Sequence, residues 1–378
     1  MGNRIFLNHA NLSNVLRQVA NNGILAVGMT MVILTSGIDL SVGSLMGVGC
    51  TLTAMLLTFQ NWHLGSQLAV PSAAMLGGGL LFLLLQRVFP SGRGRLGIAL
   101  GIPLGSIFAM AITLWLMNEV STGFGLQAIL VAVPASCALM GMASGLIIAY
   151  GKLQPFVVTL AMMMAGLGAG RLISGRGGQI HPIYRNSELV SDNFWVLQEM
   201  LFRDKDSGAG IFPVPGLIFL TCVFLAFILL STTKFGRYIY AVGGNAEAAR
   251  LSGIPVERIK VAVYAISGGL AGLTGVLYAA QYRQGKPDAG TGAELDAIAA
   301  VVVGGTSLMG GRGSVLGTMA GVFMLGVLNN ILSLRNVDSN IQLILKACII
   351  ISAILIQEGR LPLDHILGKK SMHLGREK

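Results

Sequence analysis

Residues 243–282 read GGNAEAARLSGIPVERIKVAVYAISGGLAGLTGVLYAAQY. The first part is polar and the second, from Val261 to Tyr282, has no charge. Asn245 can cap a helix, because its side chain can accept from an unpaired amide of the first turn. Glu247 then meets the positive end of the helix dipole. Ala246, Ala248, Ala249, Arg250 and Leu251 favour helix, and Gly253 with Pro255 ends it. Pro255 also suits the first turn of a second helix, leading into the apolar run. About two turns of helix are marginal alone in water, so this one depends on docking against something. A plain loop between two helices is the simpler reading of the same residues.

The rest of the chain explains the setting. Of 378 residues, 53% are hydrophobic and only 11% charged, with mean hydropathy +0.73. A soluble domain carries about 25% charge, so the expected fold is an all-α polytopic membrane protein, read as a single transmembrane domain over residues 1–378. A bilayer crossing needs about 20 apolar residues. Runs without charge extend over 18–38, 40–86, 96–118, 120–151, 153–170, 207–233, 261–282 and 313–334, with a shorter one at 297–311. A last run, 340–357, contains only Lys346, expected to snorkel to the headgroups. The run 40–86 is too long for one helix and breaks at Asn61-Trp62-His63. The count predicts roughly ten transmembrane helices.

Charge sets the orientation. Lys plus Arg outnumber Asp plus Glu by 26 to 16, and the excess gathers between apolar runs rather than beside aromatic residues. That pattern argues for positive-inside topology and against nucleic acid as a partner. Arg87, Arg93 and Arg95, the loop 232–260 and the tail with Lys369, Lys370, Arg376 and Lys378 read as cytoplasmic. The segment 171–210 mixes both signs and reads as extracytoplasmic. Glycines four apart, at 141/145, 268/272 and 313/317/321, give flat helix faces for close packing and for pairing of two copies. The cysteines, Cys50, Cys137, Cys222 and Cys348, lie in apolar runs without CxxC spacing and read as small buried hydrophobes.

Two segments interrupt apolar runs. GIDLSVGSLMG, within the broken helix pair 19–60, places Asp39 and Ser41 ahead of Val42, where they can cap a helix; Ser44 follows one turn on. ELDAIAAVVVGGTSLMGGRGS opens the region 294–334. It places Asp296 ahead of a short apolar run that Gly304-Gly305 breaks, followed by Thr306 and Ser307. Irregular backbone at membrane depth is tolerated only where protein or a watery cavity surrounds it. Two such segments in the two halves suggest an internal repeat flanking a pathway. Capping at the outer interface is the simpler role for both acids. No phosphate-binding loop, HExxH or GxSxG is present, and the five histidines are scattered, so neither an enzyme nor a metal site is expected.

At this point the sequence resembles a known family, the membrane permease subunits of bacterial ATP-binding-cassette importers for monosaccharides of the ribose, xylose and galactose type. NVLRQVANNGILAVGMTMVILTSGIDLSVGS (14–44), KLQPFVVTLAMMM (152–164), AVGGNAEAARLSGIPVERIK (241–260) and AELDAIAAVVVGGTSLMGGRGSVLGT (293–318) carry the resemblance. It implies that Asn245, Glu247, Ala248, Ala249, Arg250 and Gly253 belong to a cytoplasmic coupling helix seated in a separate ATPase subunit. It implies ATP and Mg on that partner and no cofactor on this chain. It implies a second permease copy or paralogue, a periplasmic or lipid-anchored sugar-binding protein, and a place in the bacterial inner membrane. Asp39, Ser41, Ser44, Asp296, Thr306 and Ser307 would line the translocation pathway or its mouth.

Two features depart from the family. Its members carry an apolar helix ahead of NVLRQ, which here is absent or misassigned. Extra apolar material at 65–125 has room for one or two further helices. The competing reading is an ion-coupled secondary transporter of a small polar solute, with the two acids as ion sites; a membrane scaffold is a distant third.

Overall fold

A computed structural model describes residues 9–58, 126–175, 177–185, 187, 190, 192–203 and 210–357. The apolar insertion 65–125, the break at 61–63, the arginines at 87, 93 and 95 and the basic tail lie outside the described residues. The described chain is mostly helical, with two short strand pairs. Five of its helices are long and apolar enough to cross a membrane. The expected ten crossings drew on both described and undescribed residues.

Helix α1 spans His9–Leu34 and α2 spans Val42–Thr58. Helices α3 (Leu126–Gly151) and α4 (Pro155–Ile173) follow. The next loop holds a 3-10 turn at Asp192–Gln198 and the strands β1 (His181–Pro182), β2 (Met200–Arg203) and β3 (Gly210–Pro213). Then come α5 (Val214–Thr232), α6 (Lys234–Gly244), α7 (Ala246–Leu251) and α8 (Val256–Tyr282). Strand β4 (Gln284–Gly285) pairs antiparallel with β1, and β2 pairs with β3. Helices α9 (Ala293–Val303), α10 (Val315–Leu334) and α11 (Ser339–Gln357) complete the described chain. Within the loop 171–210, strand β1 and the 3-10 turn therefore lie at the end of α8 opposite the short helix α7.

Helix α8 is the central post, packed on α1, α2 and α3. It can serve three neighbours because glycines remove the side chains that would hold them apart. A Cβ at Gly145 of α3 would sit 2.8 Å from the Cα of Val261, and one at Gly272 of α8 would sit 2.9 Å from the Cα of Pro134. On the other side, a Cβ at Gly49 of α2 would lie 2.9 Å from the Gly272 carbonyl. Gly317 and Gly321 of α10 likewise face Ala300 and Gly304 of α9. All these close approaches are made within the chain, so packing of α8 and α9 consumes the faces that the sequence also offered to a second copy. Cys50 and Cys137 are buried as expected, whereas Cys348 is exposed on the face of α11.

Both interrupted segments are unwound, and both find protein partners for their backbone. Between α1 and α2, Ser36 takes a left-handed conformation, φ 59°. Its hydroxyl donates to the carbonyls of Gly243 (3.1 Å) and Met309 (2.8 Å). The Leu34 carbonyl accepts from the Gly311 amide at 3.0 Å. The ends of α1, of α6 and of the 304–313 loop thus meet on the α7 side. On the far side, residues 284–292 run as irregular chain along α2. There Pro287 and Gly290 press on Gly47 and Gly43, where a side chain would not fit.

Replacement of Gly272 by Ala forces backbone apart at this crossing and should cost about 1–3 kcal/mol. Gly168 of α4 has open space where its Cβ would stand, so Gly168→Ala should leave stability unchanged or raise it slightly. Thermal unfolding of the two variants in detergent compares them directly. Equal midpoints would mean that the close approach does not matter.

Candidate functional site

Helix α7 is closed at both ends by its own sequence. The Asn245 Oδ1 accepts from the amides of Glu247 (3.0 Å) and Ala248 (2.9 Å). At the other end Gly253 has φ +80°, a conformation that costs any residue with a Cβ. Its amide donates to the Arg250 carbonyl at 2.9 Å, and that of Ile254 to the Ala249 carbonyl at 3.0 Å. This is the paired closure of a left-handed C-terminal cap. Arg250 then joins α7 to α8: it donates to Glu247 at 2.9 Å and to Glu257 at 2.6 Å. The hydrogen bond to Glu257, followed by the charges of Glu257 and Glu247, raises the Arg250 pKa further above its already high value, so it stays cationic. Exposed ion pairs of this kind contribute little stability, but two partners on two helices fix the angle between them.

The faces of α7 are not equivalent. Glu247, Ala248, Arg250 and Gly253 are exposed, and Leu251 is 84% exposed. Ala249, grouped with them from the sequence, is buried at 5% exposure. It turns toward the chain's own core, so it cannot offer its side chain to a partner. Beside α7 lies a recess of about 300 Å³ lined by Lys152, Arg250, Glu257 and Lys260 among others. The amphipathic helix α6 that precedes it was not anticipated. Its buried Phe235, Ile239, Val242 and Gly243 recur at helical spacing, a signal hidden between a long apolar run and a basic loop.

Asp39 lies at the first helix break and is fully buried. Its Oδ1 accepts from the Ser41 amide (3.0 Å) and hydroxyl (2.6 Å). Its Oδ2 accepts from the Ser267 hydroxyl of α8 at 2.9 Å. The carboxylate therefore holds the start of α2 against the middle of α8. Ser41 and Ser44 are buried as well, and the Ser44 hydroxyl donates to the Ser41 carbonyl at 2.8 Å. None of these three residues lines the cavity of about 490 Å³ beside Asp296. Ser267 was missed because one serine in an apolar run carries no pattern.

Asp296 does something different from what its position suggested. It lies inside the first turn of α9, and the N-cap position belongs to Gly292, which makes no side-chain cap. The Asp296 carboxylate instead takes Lys346 of α11, at 3.1 and 3.2 Å, and Asn22 of α1, at 3.4 Å. Lys346 therefore does not snorkel. An unpaired ammonium within a bundle is expensive, and a facing carboxylate offsets that cost better than a reach to the headgroups. Thr306 and Ser307 lie at the opposite end. Thr306 is buried against Gly313, and Ser307 belongs to the glycine-rich loop beside Gly243 on the α7 side. The six pathway candidates thus occupy three places rather than one.

The cavity beside Asp296 has a volume of about 490 Å³. Gln18, Asn21, Asn22 and Gln281 supply amides, and Tyr278 and Tyr282 supply rings whose centroids lie 4.3 Å apart. Tyrosines and amides at this end of α1 and α8 escaped notice because each stands alone in its apolar run. Convergent amides, aromatic faces and a half-buried charge pair thus share this cavity with apolar Met46, Leu295 and Leu343.

A membrane-embedded bundle of this kind, with broken helices between a polar chamber and an exposed capped helix, defines a solute permease. Residues 11–354 match the family described as branched-chain amino acid transport system / permease component. The chain belongs to that family and is a multi-pass protein of the bacterial inner membrane. It is 36% identical over 355 residues to the Ribose import permease protein RbsC of Escherichia coli (strain K12), covering 93% of this chain and 86% of that protein. It is 35% identical over 361 residues to the protein of the same name from Bacillus subtilis (strain 168), covering 95% and 88%. It is 36% identical over 359 residues to the Xylose transport system permease protein XylH of Escherichia coli (strain K12), covering 92% and 85%. No solved structure matches the chain.

Removing the Ser267 hydroxyl takes one hydrogen bond from a buried carboxylate, an interaction worth about 1.5–3 kcal/mol. Ser267→Ala should therefore lower the unfolding midpoint in detergent, and Ser267→Thr should recover part of it. An unchanged midpoint for Ser267→Ala would show that the bond does not hold α2 to α8.

Proposed function

We propose that this chain is the translocation subunit of an ATP-binding-cassette importer for a monosaccharide. The observation that carries the reading is the similarity, over most of its length, to proteins named for ribose and xylose import. The capped helix α7 supports the mechanical half of the proposal. ATP with Mg is hydrolysed on a separate ATPase subunit, and α7 is the part of this chain seated in that subunit. Asn245 and Gly253 define its ends, while Glu247, Ala248, Arg250 and Leu251 form its outward surface. Ala249 serves by packing inward.

Closure of two ATPases around nucleotide would push α7. Arg250 and Glu257 link α7 to α8, and Ser267 and Asp39 link α8 to the break before α2. The push would reach the unwound segment through short polar contacts and a glycine-packed post, without a flexible joint between. Two permease copies, or one with a paralogue, would flank the pathway. A periplasmic or lipid-anchored binding protein would deliver sugar to the face bearing the polar chamber.

The test is uptake by the full complex in proteoliposomes, with labelled ribose and xylose and ATP inside the ATPase compartment. Wild type should accumulate at least one of them only with ATP. Glu247→Arg and Gly253→Pro should reduce ATP-driven uptake at least tenfold while the complex still folds. Undiminished uptake by both variants would remove α7 from the coupling path. Uptake by this chain alone, collapsed by an uncoupler, would replace the reading with an ion-coupled one.

A further inference from the structure

We propose that the Asp296–Lys346 pair is the charge filter of the polar chamber, passing uncharged polyhydroxyl solutes and rejecting sugar acids and amino sugars. The proposal rests on the permease reading above and concerns what the chamber selects. Asp296 and Lys346 are the two charged residues lining the chamber of about 490 Å³. They neutralise each other at 3.1 Å, with side chains only 32% and 18% exposed. Around them the wall carries the amides of Gln18, Asn21, Asn22 and Gln281 and the tilted rings of Tyr278 and Tyr282, set among apolar Met46, Leu295 and Leu343. That is the chemistry of hydroxyl recognition without net charge.

The position of the pair adds a second argument. A smaller cavity of about 120 Å³ lies between α1, α9 and α10, and shares Gln18, Asn22 and Asp296 with the larger one. The contact between Asn22 and Asp296 at 3.4 Å therefore stands in the wall between two chambers. Asn21 adds a further side-chain amide to the larger chamber and Asn329 one to the smaller. A solute carboxylate would compete with Asp296 for Lys346 and leave Asp296 unpaired. A solute ammonium would strand Lys346 in the same way. The pair has no net charge to offer a solute, so desolvation of a charged group goes uncompensated and either charge is discriminated against.

The experiment reads the chamber's charge directly. Thr291 lines the larger cavity and is exposed. In the full complex carrying Thr291→Cys and Cys348→Ser, the rates of modification by anionic, cationic and neutral thiosulfonate reagents are compared. With the pair intact, the anionic-to-cationic rate ratio should match that of free cysteine. Asp296→Asn should shift the ratio toward the anionic reagent by about tenfold, the scale expected for one uncompensated charge at this range and dielectric. Lys346→Gln should shift it the opposite way. The exchanged double variant, Asp296→Lys with Lys346→Asp, should return the ratio to that of wild type. A structural role alone would not produce opposite shifts that cancel on exchange. Pentose uptake is measured alongside, with glucuronate and glucosamine as charged solutes.

Ratios unmoved by either single substitution, or a double variant that does not restore neutrality, would overturn the proposal. Single variants that admit a solute whose charge is opposite to the one left behind, glucuronate for Asp296→Asn and glucosamine for Lys346→Gln, would support it. Wild type that transports no monosaccharide, yet shows the charge shifts, would sink the sugar reading while leaving the filter standing.

Discussion

Inside a membrane, an unwound stretch of backbone can satisfy its amides and carbonyls only from the protein itself. Much of this architecture follows from that requirement. The break after α1 exists because Ser36, Gly243, Met309 and Gly311 bind its free ends to two other loops. The irregular chain 284–292 exists because Gly43 and Gly47 let it lie against α2 and because β4 pairs with β1. The breaks are therefore joined to the rest of the fold more tightly than ordinary helix ends. That is how a segment without regular structure can be moved as part of a rigid body.

The same economy connects the two faces. Helix α7 makes its own caps, and Arg250 ties it to α8 through Glu257. Helix α8 passes between α2 and α3 on glycine faces that bring the backbones close. At its middle Ser267 holds Asp39, and at its far end Tyr278, Gln281 and Tyr282 line the polar chamber. One helix thus touches the exposed capped helix, the first break and the chamber. The route is a sequence of physical contacts.

The fold class was legible because composition leaves a chain this apolar no soluble alternative, and both helix breaks were legible because glycine and acid interrupt long uncharged runs. The caps of α7 were legible for a local reason: Asn245 and Gly253 act within four residues of themselves. What sequence could not show was pairing across the chain. Lys346 and Asp296 are 50 residues apart, and each taken singly had a simpler explanation, snorkelling for one and capping for the other. That Ala249 faces inward was not legible, because a six-residue helix gives too few positions to show which side is buried. Helix α6 was lost because its buried residues follow directly on the apolar run of α5.

The account stands on α7 being the surface that a partner ATPase grips. The most direct measurement is crosslinking from Leu251→Cys, the outward tip of the helix, to the ATPase in the assembled complex, with Ala249→Cys as the inward control. Efficient crosslinking from 251, sensitive to nucleotide, with little from 249 is the predicted result. A complex that assembles normally but crosslinks from neither position, or equally from both, would contradict the account.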